Sequence, residues 1–274
     1  PRIRSRSVAA CRAMTSTSAP EAAARQDPWR VARPLLAIAF WLAVWQGASL
    51  AVGSRVLLVG PWEVAVRLTQ LVPTLDFWSA VSRTFGRITL GFLLAAVVGV
   101  LLAALSAASR WTQALVAPLV ATIRSTPVVS FIILVLIWAD SSRLATIVSF
   151  LMTVPIIHAT VYSGILARSP ELLEMASVFR VRGWRRLLAI DVPGVLPFFA
   201  AGCRTGVGLA WKSGIAAEVI GLPSGTIGER LYQGRLFLET ADVFAWTAVV
   251  VLVAYAFERL VLWLLSLLER RLSA

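Results

Sequence analysis

The chain is poor in the residues from which most active sites are built. It has one histidine, His158, and two cysteines, Cys11 and Cys203, among 274 residues. A single imidazole supplies neither a metal site nor a hydrolytic triad. Cys11 lies in a polar stretch and Cys203 in an apolar one, so they form neither a disulfide framework nor a metal cluster and read as small space-filling residues. Acids are scarce too, 14 Asp and Glu against 26 Lys and Arg. No G-x-x-x-x-G-K-[ST] occurs, and Trp211-Lys212-Ser213 lacks the glycine that lets a loop wrap a phosphate. H-E-x-x-H, G-x-S-x-G and C-x-x-C are absent as well. The chain is therefore read as no enzyme, and one histidine with few acids also argues against catalysis inside a bilayer. If it drives transport actively, the energy must come from a partner or an ion gradient.

Apolar residues are abundant. A hydrophobic share of 58%, a mean hydropathy of +0.80 and 11 tryptophans do not describe a water-soluble domain. The expected fold is all-α, a polytopic transmembrane helical bundle of about six spans, at 34–53, 84–107, 114–138, 143–166, 194–217 and 243–266. The net charge of +12 is almost all arginine and lies beside these spans rather than on one polar surface, which argues against a nucleic-acid partner. With the N-terminus inside, the cytoplasmic segments carry fifteen arginines and the outer ones seven, so the positive-inside rule puts both termini in the cytoplasm. Residues 1–33, rich in Arg, Ala and Ser, read as a disordered cytoplasmic tail, with an organelle transit peptide as the alternative. Translation from Met14 is a further expectation. Residues 34–272 then form the membrane domain.

Outside the spans, Pro61-Trp62 opens a short amphipathic segment expected to lie on the outer membrane surface. The loop 221–242 reads either as a cover for the outer mouth of a pore or as a plain connection. The longest charged interruption runs from Glu171 to Pro197. Ser169 is a fair helix N-cap, Pro170 suits the first helical position, and Glu171 and Glu174 sit where the helix dipole favours acid. Val178 and Phe179 add an apolar face, Arg180 to Gly183 allow a turn, and Trp184 to Ile190 lead back to the membrane, where Pro193 and Pro197 restart a helix. An acidic-apolar helix among arginines suits docking in a groove of a soluble protein. A basic loop resting on anionic lipid is the simpler alternative.

Ionisable residues at membrane depth normally face protein or a water-filled path. Arg124, His158, Arg204, Lys212 and Glu218 qualify, with Thr126 and Pro127 beside Arg124 at an expected kink, and Pro155 at a second. Arg204 and Lys212 stand about 80° apart around a helix and can border one cavity favouring an anion. The alternatives are an interior histidine at His158, a snorkelling Arg124, and mutual neutralisation of Lys212 and Glu218. Glu258 and Arg259 read as a structural pair. Gly202, Gly206, Ala210 and Gly214, every fourth residue, make a bare helix face for packing within the bundle, a subunit interface or a pore wall.

Here the residues resemble a known family. Permease subunits of bacterial ATP-binding-cassette importers carry a loop E-A-A-x3-G-x9-I-x-L-P, and this chain has Glu174, Met175, Ala176, Arg180, Ile190, Val192 and Pro193 at that spacing. Met175, Arg180 and Val192 depart from it, and Gly183 is the residue available to take over the turn. The run from Pro193 through LPFFAAGCRTGVGLAWKSGIAAEVIGLPSGTIGERLYQ looks like the nitrate/sulfonate/taurine branch. The resemblance implies a bacterial inner-membrane location and a solute pathway completed by a second permease copy. It implies an ATPase dimer that binds ATP and Mg, while this chain binds no cofactor, and an external solute-binding protein. Residues 168–193 would form the coupling loop. Glu171, Glu174, Met175, Ala176, Phe179, Arg180, Gly183, Ile190 and Pro193 would be its coupling residues. Surrounding lipid is the remaining partner. The rival reading, an ion-coupled secondary transporter without an ATPase, predicts inverted internal repeats, and none is visible.

Overall fold

The structure is a computed structural model that describes residues 29–54, 56–181 and 183–272. Cys11, Met14 and most of the expected tail lie outside the described residues, as do Arg55 and Arg182. The helix α1 (Trp29–Val52) already includes the last five residues of the segment expected to be a tail. The chain divides into two compact units inside this helix, at Trp45 and Gln46. In the first unit, Leu35, Leu36, Ile38, Phe40 and Trp41 are exposed, the surface expected of a helix solvated by lipid.

The second unit is all-helical among the described residues. Its elements are α2 (Pro61–Leu71), α3 (Leu75–Ala108), α4 (Arg110–Ser125), α5 (Val128–Trp138), α6 (Ser141–Leu166), α7 (Pro170–Val178), a single turn α8 (Trp184–Arg186), α9 (Val192–Gly221), α10 (Ile227–Leu236) and α11 (Thr240–Leu272). Five described helices are long and apolar enough to cross a membrane, six if α4 and α5 count as one broken span. Local chemistry sets many starts. Thr74, Ser109, Ser169 and Thr226 each accept a backbone N–H from the first turn of α3, α4, α7 and α10, and Pro61 and Pro170 open α2 and α7.

The core is α6 packed between α3 and α9. Small residues allow the approach. A side chain at Gly91 would meet the backbone oxygen of Thr146, one at Gly99 would lie 2.8 Å from Ile157 Cβ, and one at Gly214 would lie 2.6 Å from Ser149 Oγ. Ile88, Phe92, Ile157, Val161, Val207, Trp211 and Phe257 fill the centre. Phe77, Ala80, Ile227 and Trp246 close one end, where the Arg67 guanidinium also binds Asp242 across α2 and α11, with Nη2 2.9 Å from Oδ2. The opposite end carries α7. There Ala108, Ile165, Arg168, Asp191 and Leu268 border one cavity, so the C-terminal ends of α3, α6 and α11 meet the start of α9.

Three expectations concern prolines. The span expected at 114–138 is two helices bent by 106° at Thr126 and Pro127, a far sharper change of direction than a proline kink. Pro155, expected to bend the next span, sits buried inside a continuous α6. Pro193 and Pro197 do not restart a helix, because the helical path is continuous from Trp184 to Gly221. A π-helical turn over Leu187–Asp191, in which Val192 N–H reaches Leu187 O, widens the backbone before Pro193, whose missing N–H and bulky ring oppose an ordinary turn there.

Candidate functional site

The loop between α6 and α9 is built on α7. Ser169 Oγ accepts the Leu172 N–H at 3.4 Å and its hydroxyl donates to the Glu171 carboxylate. That hydrogen bond, followed by a backbone one, holds the Glu171 carboxyl below the usual carboxylate range, although the side chain is fully exposed. Ala176 is the buried residue of α7, while Leu172, Met175, Val178 and Phe179 are exposed together with Glu171 and Glu174. An apolar face this bare, flanked by acids, is a surface for contact.

Two turns at positive φ end the helix and reverse the chain. Arg180 has φ 52°, its N–H reaches Ser177 O at 3.2 Å, and Val181 N–H reaches Ala176 O at 2.8 Å. These are the two bonds of a Schellman cap, whose left-handed position favours glycine. Gly183 follows with φ 61° and ψ −133°, a region open only to glycine. Arg180 therefore occupies the conformation for which the family pattern uses glycine, and Gly183 makes a second turn without relieving the first. Beneath them, Asp191 is paired with Arg168 from the end of α6, and its Oδ2 lies 3.4 Å from Arg186 Nε. This carboxylate closes the loop at its base. Ile190 and Pro193 lie half-buried on either side of it.

The membrane-depth candidates fall into three places. Arg124 and His158 come together, bordering a cleft of about 570 Å³ between α4 and α6 with Ser125, Tyr162 and Ser163. Thr126 and Pro127 sit at the bend and are not among the residues bordering the cleft, and the Thr126 and Ser125 hydroxyls both donate to Thr122 O, satisfying the broken helix end. Arg204 and Lys212 are exposed on α9 and do not border this cleft. Gly202, Gly206, Ala210 and Gly214 are buried, facing Thr160, Thr153, Ser149 and Ile88, so this face packs within the bundle.

Glu218 is not neutralised by Lys212. It is fully buried, and its Oε2 accepts the Thr84 hydroxyl at 2.8 Å and the Gly228 N–H at 3.2 Å, while Arg87 Nη1 stands 3.9 Å from Oε1. Thr84 Oγ1 in turn accepts the Ile227 N–H at 3.0 Å. The group ties the start of α10 to α3 and α9. Nor do Glu258 and Arg259 pair, because Arg259 Nε donates to the Tyr255 hydroxyl at 2.9 Å and its guanidinium stacks over that ring. Thr84, Arg87, Arg168, Asp191 and Ser106 were missed by sequence reasoning. For Arg168 and Asp191 the signal was present, opposite charges at the two ends of one loop. Thr84 offered none, since its partner lies 134 residues away.

Residues 95–274 match the family of binding-protein-dependent transport system inner membrane components. The chain belongs to this family. Its similarity to individual members runs almost end to end. It is 31% identical over 232 residues to an Escherichia coli permease named for aliphatic sulfonates transport, covering 81% of this chain and 85% of that one. A Bacillus subtilis permease named for the same transport is 26% identical over 240 residues, 87% of this chain and 85% of the relative. A bicarbonate transport system permease protein of Synechococcus elongatus is 26% identical over 246 residues, 84% and 87%. The chain is thus a multi-pass membrane component of a transport system and not an enzyme. A membrane component of this type works beside separate proteins, a binding protein among them.

Proposed function

We propose that this chain is the permease subunit of an ATP-binding-cassette importer, forming the path for a small anionic solute and coupling it to a separate ATPase. The observation that carries the coupling reading is α7. It is a capped, exposed helix between two membrane-length helices, with an acidic-apolar face and a base closed by Asp191. Glu171, Glu174, Met175 and Phe179 would enter the ATPase groove. Ala176 would hold α7 to the bundle, and Arg180, Gly183, Ile190 and Pro193 would set its angle. Closure of the ATPase around ATP and Mg would then tilt the bundle between inward- and outward-open forms. Both termini and α7 would face the cytoplasm. A second copy of the chain would complete the path, with the exposed Arg204 and Lys212 on its wall, and an external binding protein would deliver the solute. The relatives' names support an oxyanion, since sulfonates and bicarbonate both present negatively charged oxygen, and nitrate and taurine share that chemistry.

Co-expression with the ATPase and co-purification in detergent test this reading. Glu174→Arg is expected to abolish recovery of the ATPase while the permease itself remains folded and membrane-inserted. Full uptake by the permease in vesicles without any ATPase would overturn it in favour of an ion-coupled carrier.

A further inference from the structure

The cleft between α4 and α6 brings a fixed positive charge to an unpaired ring nitrogen. Arg124 lies in the last turn of α4, and among the described residues no carboxylate borders the cleft or forms an ion pair with it. Facing it on α6, His158 is 8% exposed. Its Nε2 lies 3.2 Å from Ser106 Oγ, its ring stacks parallel on Tyr162 at 5.9 Å, and its Nδ1 has no hydrogen-bond partner. Ala117, Val120, Ala121 and Ala159 make the rest of the wall, small and apolar.

A guanidinium without a carboxylate, exposed at the end of α4 beside the cleft, favours an anion, and its planar fork matches an oxyanion better than it matches halide or a neutral solute. When the Ser106 hydroxyl donates to Nε2, the proton of the neutral imidazole sits on Nδ1, which is buried behind the cleft wall and unpartnered. A change of ring rotamer would bring this donor to an oxygen in the cleft. The volume of about 570 Å³ takes a small oxyanion with part of its water. His158 is about two helical turns from the α7 end of α6, so the cleft lies on the α7 side of the bundle.

We infer that this cleft is an oxyanion subsite of the solute path, with Arg124 as its electrostatic anchor and His158 as a donor that turns to the bound anion. The inference rests on the reading of the chain as a solute pathway, and it separates Arg124 and His158 from Arg204, Lys212 and Glu218.

The test uses the full chain in membranes opened to both faces, with Cys11→Ser and Cys203→Ala removing native thiols and Ala121→Cys placing one in the cleft wall. An anionic and a cationic methanethiosulfonate reagent are compared, each normalised to its rate with a free thiol. The anionic reagent is expected to be favoured by about tenfold or more, the effect of one unscreened charge at close range. Arg124→Gln is expected to remove the preference and Arg124→Lys to keep it. Ethanesulfonate or bicarbonate at millimolar concentration is expected to slow labelling, and His158→Phe to weaken that protection several-fold while leaving the charge preference. A preference that survives Arg124→Gln, or labelling that neither anion slows, overturns the subsite. Protection unchanged in His158→Phe overturns the role of the imidazole. ATP-driven uptake without charge preference would sink the subsite alone, whereas charge preference and protection without ATPase-dependent uptake would sink the importer reading and leave the subsite standing.

Discussion

Two carboxylates tie the two ends of the bundle, and they do it differently. Glu218 is fully buried, is shared by α3, α9 and α10, and gives one oxygen to two donors. Asp191 is partly exposed and holds two arginines from the two sides of one loop. Removing a buried acceptor strands its donors without water, while a half-exposed ion pair is partly replaced by solvent. The α10 end is therefore a fixed joint, and the α7 end is a hinge base with a smaller energy. That division suits the proposed coupling, in which a separate ATPase would move the α7 end.

The comparison can be broken at its stronger side first. Glu218→Ala leaves Thr84, the Gly228 N–H and Arg87 without their acceptor and is expected to destabilise the whole bundle by about 3–5 kcal/mol. Thermal unfolding of the purified protein in detergent measures this, and a loss confined to the α10 segment would show that Glu218 is a local latch. Asp191→Asn is expected to cost less, about 1–2 kcal/mol, and to open the loop rather than the bundle. Faster proteolysis between Arg168 and Arg186 with little change in global unfolding is the expected result, and equal loosening of both ends would erase the contrast. The smallest effect sharpens the hinge. Arg180→Gly removes the strain of a side chain at φ 52° and is expected to stabilise the α7 cap by about 1 kcal/mol, seen as slower hydrogen exchange at Val181 N–H. Faster exchange there would mean that the arginine side chain holds the turn.

Much of this architecture was legible because the relevant interactions are local or act over one bilayer thickness. Long apolar runs mark α3, α6, α9 and α11 whatever surrounds them, and Ser169-Pro170 marks the start of α7 within three residues. The small-residue ridge on α9 was visible as a spacing. Its use as packing against α6 and α3, rather than as a pore wall, was not. Pro155 and Thr126-Pro127 make the point sharply. Both read as kinks, yet one lies inside a continuous helix and the other at a bend of 106° between two helices.

The candidate site divides in the same way. The acidic-apolar pattern of α7 is carried by nine consecutive residues, so sequence alone exposes it. The meeting of Arg124 and His158 at one cleft between two helices and the choice of Arg87 rather than Lys212 beside Glu218 depend on where separate segments meet. Sequence by itself determined a helical membrane protein, most of its spans and the start of its charged loop, because burial in lipid and helix capping are local costs. Tertiary structure decided which charges face each other, since those partners lie from tens to more than a hundred residues apart and only packing brings them within reach.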